Sequence, residues 1–168
     1  MTPEIFSTSI LTLIDYFYPV IRFEANPGFP GWTPEEAVEP TAHVNVKVRP
    51  MDEMPNAWWV QLDISVDWPE RPLPPYKVAE LRSIGLFKFP DDTPPERIDE
   101  QLTVSAPSIL YSGARDFVKS LTSRGPYPPV LMPTITFRPG RLVRHQGKEQ
   151  ANPPSPAKAQ TGTSNTPK

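Results

Sequence analysis

Proline recurs along this chain so densely that a helical bundle or a coiled coil is excluded. There are 25 prolines among 168 residues, and each removes a backbone donor and breaks a helix interior. With the 8 glycines they make up about a fifth of the chain, below the roughly 25–30% of a low-complexity sequence. The chain therefore reads as one globular domain built largely from extended segments and long enough to bury a core.

Four segments carry strand signals. Residues 14–23 are rich in aromatic and β-branched side chains (Tyr16, Phe17, Tyr18, Val20, Ile21, Phe23). The turn residues 26–31 end that run, and an irregular loop continues past Trp32 to Pro40. Residues 43–48 alternate, with Val44, Val46 and Val48 on one face. Residues 58–68 alternate over eleven positions, with Trp58, Val60, Leu62, Ile64, Val66 and Trp68 inward and Trp59 as the exception outward. Residues 76–89 are apolar but lose phase, and a β-bulge near residues 80–82 is the expected cause.

Residues 94–102 suggest a helical turn or a loop. Residues 107–124 form the one clear helix, with Ile109, Leu110, Ala114, Phe117, Val118 and Leu121 at helical spacing. Pro107 suits its first position, Ser105 or Ala106 its cap, and Gly125 a left-handed stop. Residues 127–137 follow as an extended apolar arm among prolines. The expected fold class is α+β: a four-stranded antiparallel sheet with one long helix in a second layer. Residues 1–140 form the domain and residues 141–168 a disordered tail, since the tail has no apolar period to offset its ordering entropy. One helix cannot cover the sheet, so an oligomer is expected.

Composition excludes much chemistry. The chain has no cysteine and only two histidines, His43 and His145, so disulfides, thiol nucleophiles and zinc–thiolate sites are ruled out. No glycine-rich phosphate loop is present, and neither a cofactor nor a bound metal is expected. Asp63 and Asp67 share a strand face but sit roughly 13 Å apart at strand rise, too far for a carboxylate pair. His43 reads as a strand-edge residue rather than a base beside Asp15 or Glu24. No catalytic residue is assigned. Residues 1–140 carry 12 Lys and Arg against 18 Asp and Glu, whereas residues 141–168 carry five cations against Glu149. An acidic body argues against nucleic acid as a partner. No apolar run approaches the ~18 residues of a membrane span, and Glu4 with the broken run at residues 10–14 does not read as a secretory signal. A cytoplasmic protein is expected.

Four stretches together resemble the SecB protein-export chaperones. They are Ile21-Arg22-Phe23-Glu24-Ala25-Asn26-Pro27; the strand at residues 59–66; Glu80 through Gly85-Leu86-Phe87; and a long block from Ala106-Pro107-Ser108-Ile109-Leu110-Tyr111 through Ala114-Arg115-Asp116-Phe117 and Ser123-Arg124-Gly125 to Pro133-Thr134-Ile135-Thr136-Phe137. The resemblance covers residues 8–138. It implies a tetramer built as a dimer of dimers and an ATP-independent holdase that binds non-native polypeptides. It also implies contact with the translocase motor SecA through Glu24 and Glu80. Two departures weigh against SecA: Val20 stands where an aspartate is usual, and no C-terminal helix follows Phe137.

Client-binding residues are expected among the aromatics Phe29, Trp32, Tyr111, Phe117, Tyr127 and Phe137, with residues 26–40 as a lid. The rival reading is an adaptor of the same fold that binds one folded partner, for example beside a toxin–antitoxin pair.

Overall fold

Eleven residues of strict alternation become the inner strand of a sheet. The computed structural model describes residues 10–31, 39–70 and 72–140; Trp32 and the expected tail, residues 141–168, lie outside the described residues. Strands β1 (Thr12–Ala25), β2 (Thr41–Pro50), β3 (Ala57–Asp67) and β4 (Tyr76–Lys88) form an antiparallel sheet in the order β1-β4-β3-β2. A helical segment follows: α1 (Pro95–Glu100), a π-helical turn (Gln101–Ser105) and α2 (Ala106–Thr122). The second layer is thus in place, and the expected fold class stands.

The even-numbered residues of β3 enter the core: Val60, Leu62, Ile64 and Val66 are buried together with Leu81 and Phe87 of β4 and Leu110, Ala114 and Val118 of α2. Trp58 and Trp68 pack against this cluster, while Trp59 faces the other way and meets Phe17 edge to face. At about 25 cal/mol per Å² of apolar surface, this layer contact is the main stabilising term.

The expected bulge at residues 80–82 is not there. β3 and β4 pair without a break from Ala57 opposite Lys88 to Ser65 opposite Glu80. Ala79, Leu81, Ser83 and Phe87 are all buried toward the helix. Ile84 and Leu86 belong to the opposite face, across from Gln61 and Trp59, so the apparent phase slip is apolar surface on both faces. The irregularities lie between β1 and β4, at Leu13/Asp15, Phe17/Val20 and Glu24/Ala25. At the second, Tyr18 and Pro19 together face Ser83, where Pro19 has no N–H to give the ladder.

Two helix-end expectations are also corrected. Ser105 has helical angles (φ −74°, ψ −48°) and makes no side-chain cap bond, because the chain is already helical before it. The wider turn at Gln101–Ser105 falls just ahead of Pro107, where a regular α-turn would drive the proline ring against the Thr103 carbonyl. Gly125 is not left-handed; among the described residues Gly31 is the only glycine with positive φ. Gly125 is needed for space: a Cβ there would lie 3.1 Å from both the Thr122 carbonyl oxygen and Tyr76 Oη.

α2 packs against β3 and β4 and reaches β1 through Phe117, which stacks on Tyr18 at 4.5 Å. Much of the rest of β1 is left bare. Ile14, Tyr16, Phe17, Val20 and Ile21 remain between 37% and 50% exposed.

Candidate functional site

Five of the six aromatic candidates divide among three places. Phe29 and Tyr127 meet edge to face at 5.1 Å, and Tyr127 in turn meets Tyr76 at 6.1 Å. Tyr76 also contacts Phe23 and Trp68, each at 6.2 Å. Five rings therefore gather where β1 ends, β3 ends and β4 begins. Tyr111 and Phe137 form the second group, edge to face at 6.1 Å. Phe117, on Tyr18, is the third. Trp32 lies outside the described residues.

The lid expectation is corrected for its first part. Phe29 is only 8% exposed, and the turn around it is pinned. Asn26 donates its backbone N–H to the Pro75 carbonyl at 2.8 Å and Nδ2 to the Pro74 carbonyl at 3.1 Å. The Tyr127 hydroxyl donates to the Asn26 carbonyl at 2.7 Å. Asn26 is thus the nail that holds the β1 exit against the proline-rich turn before β4. Tyr111, 3% exposed, is likewise a wall of the site rather than its free surface. Phe23, Trp68 and Tyr127 are half-buried and present ring surface. Burial, with Tyr127 adding to it, raises the Tyr76 hydroxyl above its ordinary value. Tyr76 Oη is buried with no hydrogen-bond partner among the described residues.

From this cluster an irregular arm, residues 126–140, runs back along α2. Three α2 side chains hold it by its main chain. Thr122 Oγ1 accepts the Val130 N–H at 2.8 Å, Arg115 Nε donates to the Met132 carbonyl at 3.0 Å, and the Tyr111 hydroxyl donates to the Pro133 carbonyl at 2.8 Å. Burial pushes the Tyr111 phenol up, with Arg115 opposing, which keeps it a donor. A cleft of about 150 Å³ remains beside the arm, lined by Ser108, Tyr111, Ser112, Arg115, Thr134, Ile135 and Phe137. The sequence assigns no site role to Arg115, Thr122, Phe23 or Tyr76, and it marks Trp68 as inward-facing. Helical spacing marks 111, 115 and 122 as neighbours on one stripe, but nothing local shows what the stripe touches.

The open face of the sheet carries a larger, shallow hollow of about 580 Å³ around Val20, His43, Asp63, Glu80 and Arg82. Its charges are paired across strands. Lys47 Nζ lies 3.3 Å from Asp63, Arg82 Nε donates to the same carboxylate, Arg22 lies 3.6 Å from Glu80, and His43 Nε2 lies 3.2 Å from Asp67. Burial alone would raise the Asp63 carboxyl, but the bonds from Arg82, Gln61 and Lys47 hold it below its ordinary value. Of the two expected motor-contact residues, Glu80 is thus already engaged with Arg22, and Glu24 stands opposite Val78 on β1. Among the described residues, no three His, Asp or Glu side chains are grouped to hold a metal ion, and no helix is long and apolar enough to cross a membrane.

Comparison with known proteins agrees with the sheet and helix. A family model described as "Preprotein translocase subunit SecB" matches residues 17–148. A protein-export protein SecB of Granulibacter bethesdensis is 31% identical over 124 residues, covering 70% of this chain and 71% of that protein. The Chromobacterium violaceum protein of the same name is 35% identical over 74 residues, 44% of this chain and 47% of that one. The Rhodospirillum centenum protein is 33% identical over 60 residues, 36% of each; several of these matches therefore span half or less of the relative's length. Among solved structures, a SecB-like chaperone of Mycobacterium tuberculosis, in complex with a ChAD peptide from the HigA1 antitoxin, superposes with a TM-score of 0.59. That likeness covers 76% of this chain and 92% of the other at 15% identity, and it speaks for the fold.

Proposed function

The chain belongs to the SecB family, and we propose that it is an ATP-independent holdase that keeps non-native polypeptides from aggregating, as a tetramer in the cytosol. The observation that carries this reading is the group of five rings where β1 and β3 end and β4 begins, with Phe23, Trp68 and Tyr127 half-buried over the buried Phe29 and Tyr76, and leading through Tyr127 into the arm along α2. Aromatic faces give large contact area at low entropy cost and tolerate varied partners. Each contact is worth about 1 kcal/mol beyond burial, so holding an unfolded chain takes several engaged together. Phe29 and Tyr111 shape this surface from below, while Tyr127, Phe137, Phe117 and Trp32 are the rings proposed to touch a client.

The bare apolar strip on β1 supports assembly, because a second copy would cover it. Docking to SecA is no part of this reading, since Val20 stands at the third acidic position and Glu80 is paired with Arg22 at 3.6 Å.

Aggregation suppression on two unrelated unfolded proteins tests the reading. Both should be protected at near-stoichiometric ratios, and Trp32→Ala should weaken protection a few-fold with melting unchanged. Protection of neither would overturn it, and binding of a single partner would favour the adaptor reading.

A further inference from the structure

We propose that the stripe Tyr111, Arg115 and Thr122 on α2 is a groove that reads extended polypeptide backbone, and that residues 126–140 fill it as a resident segment which a client displaces. The proposal rests on the holdase reading above and names how that surface is regulated.

The grip is made to main-chain atoms. The Val130 N–H, the Met132 carbonyl and the Pro133 carbonyl receive the three α2 side chains. None of these bonds depends on which side chain the held residue carries, so any extended segment offers the same atoms. Side chains of the arm alternate as a strand's would: Val130 and Met132 are 4% and 2% exposed and Leu131 is 63% exposed. The groove therefore takes an apolar residue at every second position, a pattern common in unfolded clients and hidden in folded ones.

The arm is also a poor permanent resident. Pro126, Pro128, Pro129, Pro133 and Pro139 have no N–H, which denies the arm a backbone ladder of its own. Its polar grip on α2 is three side chains, with Val130 and Met132 as its buried apolar anchors, and the 150 Å³ cleft beside Tyr111 and Phe137 leaves part of that floor uncovered. A client segment offers the same N–H and carbonyl atoms and can make the same three bonds. Because the arm leads directly from the ring cluster through Tyr127, a client seated on the rings is positioned to invade along it.

A tether tests this. The chain has no cysteine, so Ser112→Cys with Thr134→Cys places the only two thiols on opposite walls of the cleft, where a short bis-maleimide can bridge them. The probe is reduced, carboxymethylated lactalbumin, a permanently unfolded chain. The bridged protein should bind it roughly tenfold more weakly than the same double variant left unbridged. In the unmodified protein, saturating probe should speed hydrogen exchange at residues 130–132. Equal affinity with and without the bridge, in a protein that still suppresses aggregation, overturns the resident-segment proposal alone. Absence of probe binding in both forms and in the parent overturns the holdase reading and this proposal with it. Should the bridge not form, unchanged exchange at residues 130–132 under saturating probe overturns the proposal.

Discussion

Gly85 shows how closely the two layers meet. A methyl group at this position would lie 2.7 Å from Leu110 Cδ2 and 2.8 Å from Phe87 Cε2, and both neighbours are buried with no space to retreat. Gly85→Ala should cost about 1–3 kcal/mol through overpacking, read as a lower denaturant midpoint at unchanged slope. An unchanged midpoint would mean that α2 can lift off β4 at no cost. The Leu110 side of this contact was legible, because helical spacing marks it as inward. The Gly85 side was not, because a glycine in a strand pattern does not say what crosses it. The same limit applies to the binding rings: their aromatic character is plain in the sequence, but Phe29 finds Tyr127 almost a hundred residues away, and only the fold decides that Phe29 is buried and Tyr127 is not.

Strands and the long helix were legible as elements because their periods of two and of three to four are carried by the core itself. What could not be read is where the chain departs from those periods. β1 is interrupted by Pro19 and shifts against β4 there, yet β4, whose residues only looked out of phase, pairs evenly with β3. The helix was read from Pro107 onward, but a π-helical turn carries it back to Pro95. The arm was readable as extended and apolar, and its tie to α2 was not. That tie rests heavily on Thr122, 3% exposed, whose hydroxyl donates to the Val118 carbonyl at 2.7 Å and accepts from Val130. Thr122→Val keeps the shape and strands the Val130 N–H in a buried place, which should cost about 1–3 kcal/mol. Exchange at residue 130 should quicken while α2 stays protected; unchanged exchange would show that the arm is held by packing alone.

For the molecule as a whole, β1 is an outer strand with apolar side chains exposed on both its faces, Phe17 and Val20 toward the open side and Tyr16 and Ile21 toward the helix side. An edge strand of this kind is an association site unless something covers it. Sedimentation at micromolar concentration should show a species several times the 18.9 kDa chain, and a single 18.9 kDa boundary would refute assembly. On the open face of the sheet, the cross-strand pairing of Lys47, Asp63 and Arg82, and of Arg22 with Glu80, has a kinetic meaning. Paired charges cast little field beyond their own neighbourhood, and without long-range attraction protein encounters run at about 10⁵–10⁶ M⁻¹s⁻¹. An aggregating chain collides with its own kind at comparable speed, so capture by such a protein wins by abundance of the captor and slowness of release rather than by being first to arrive.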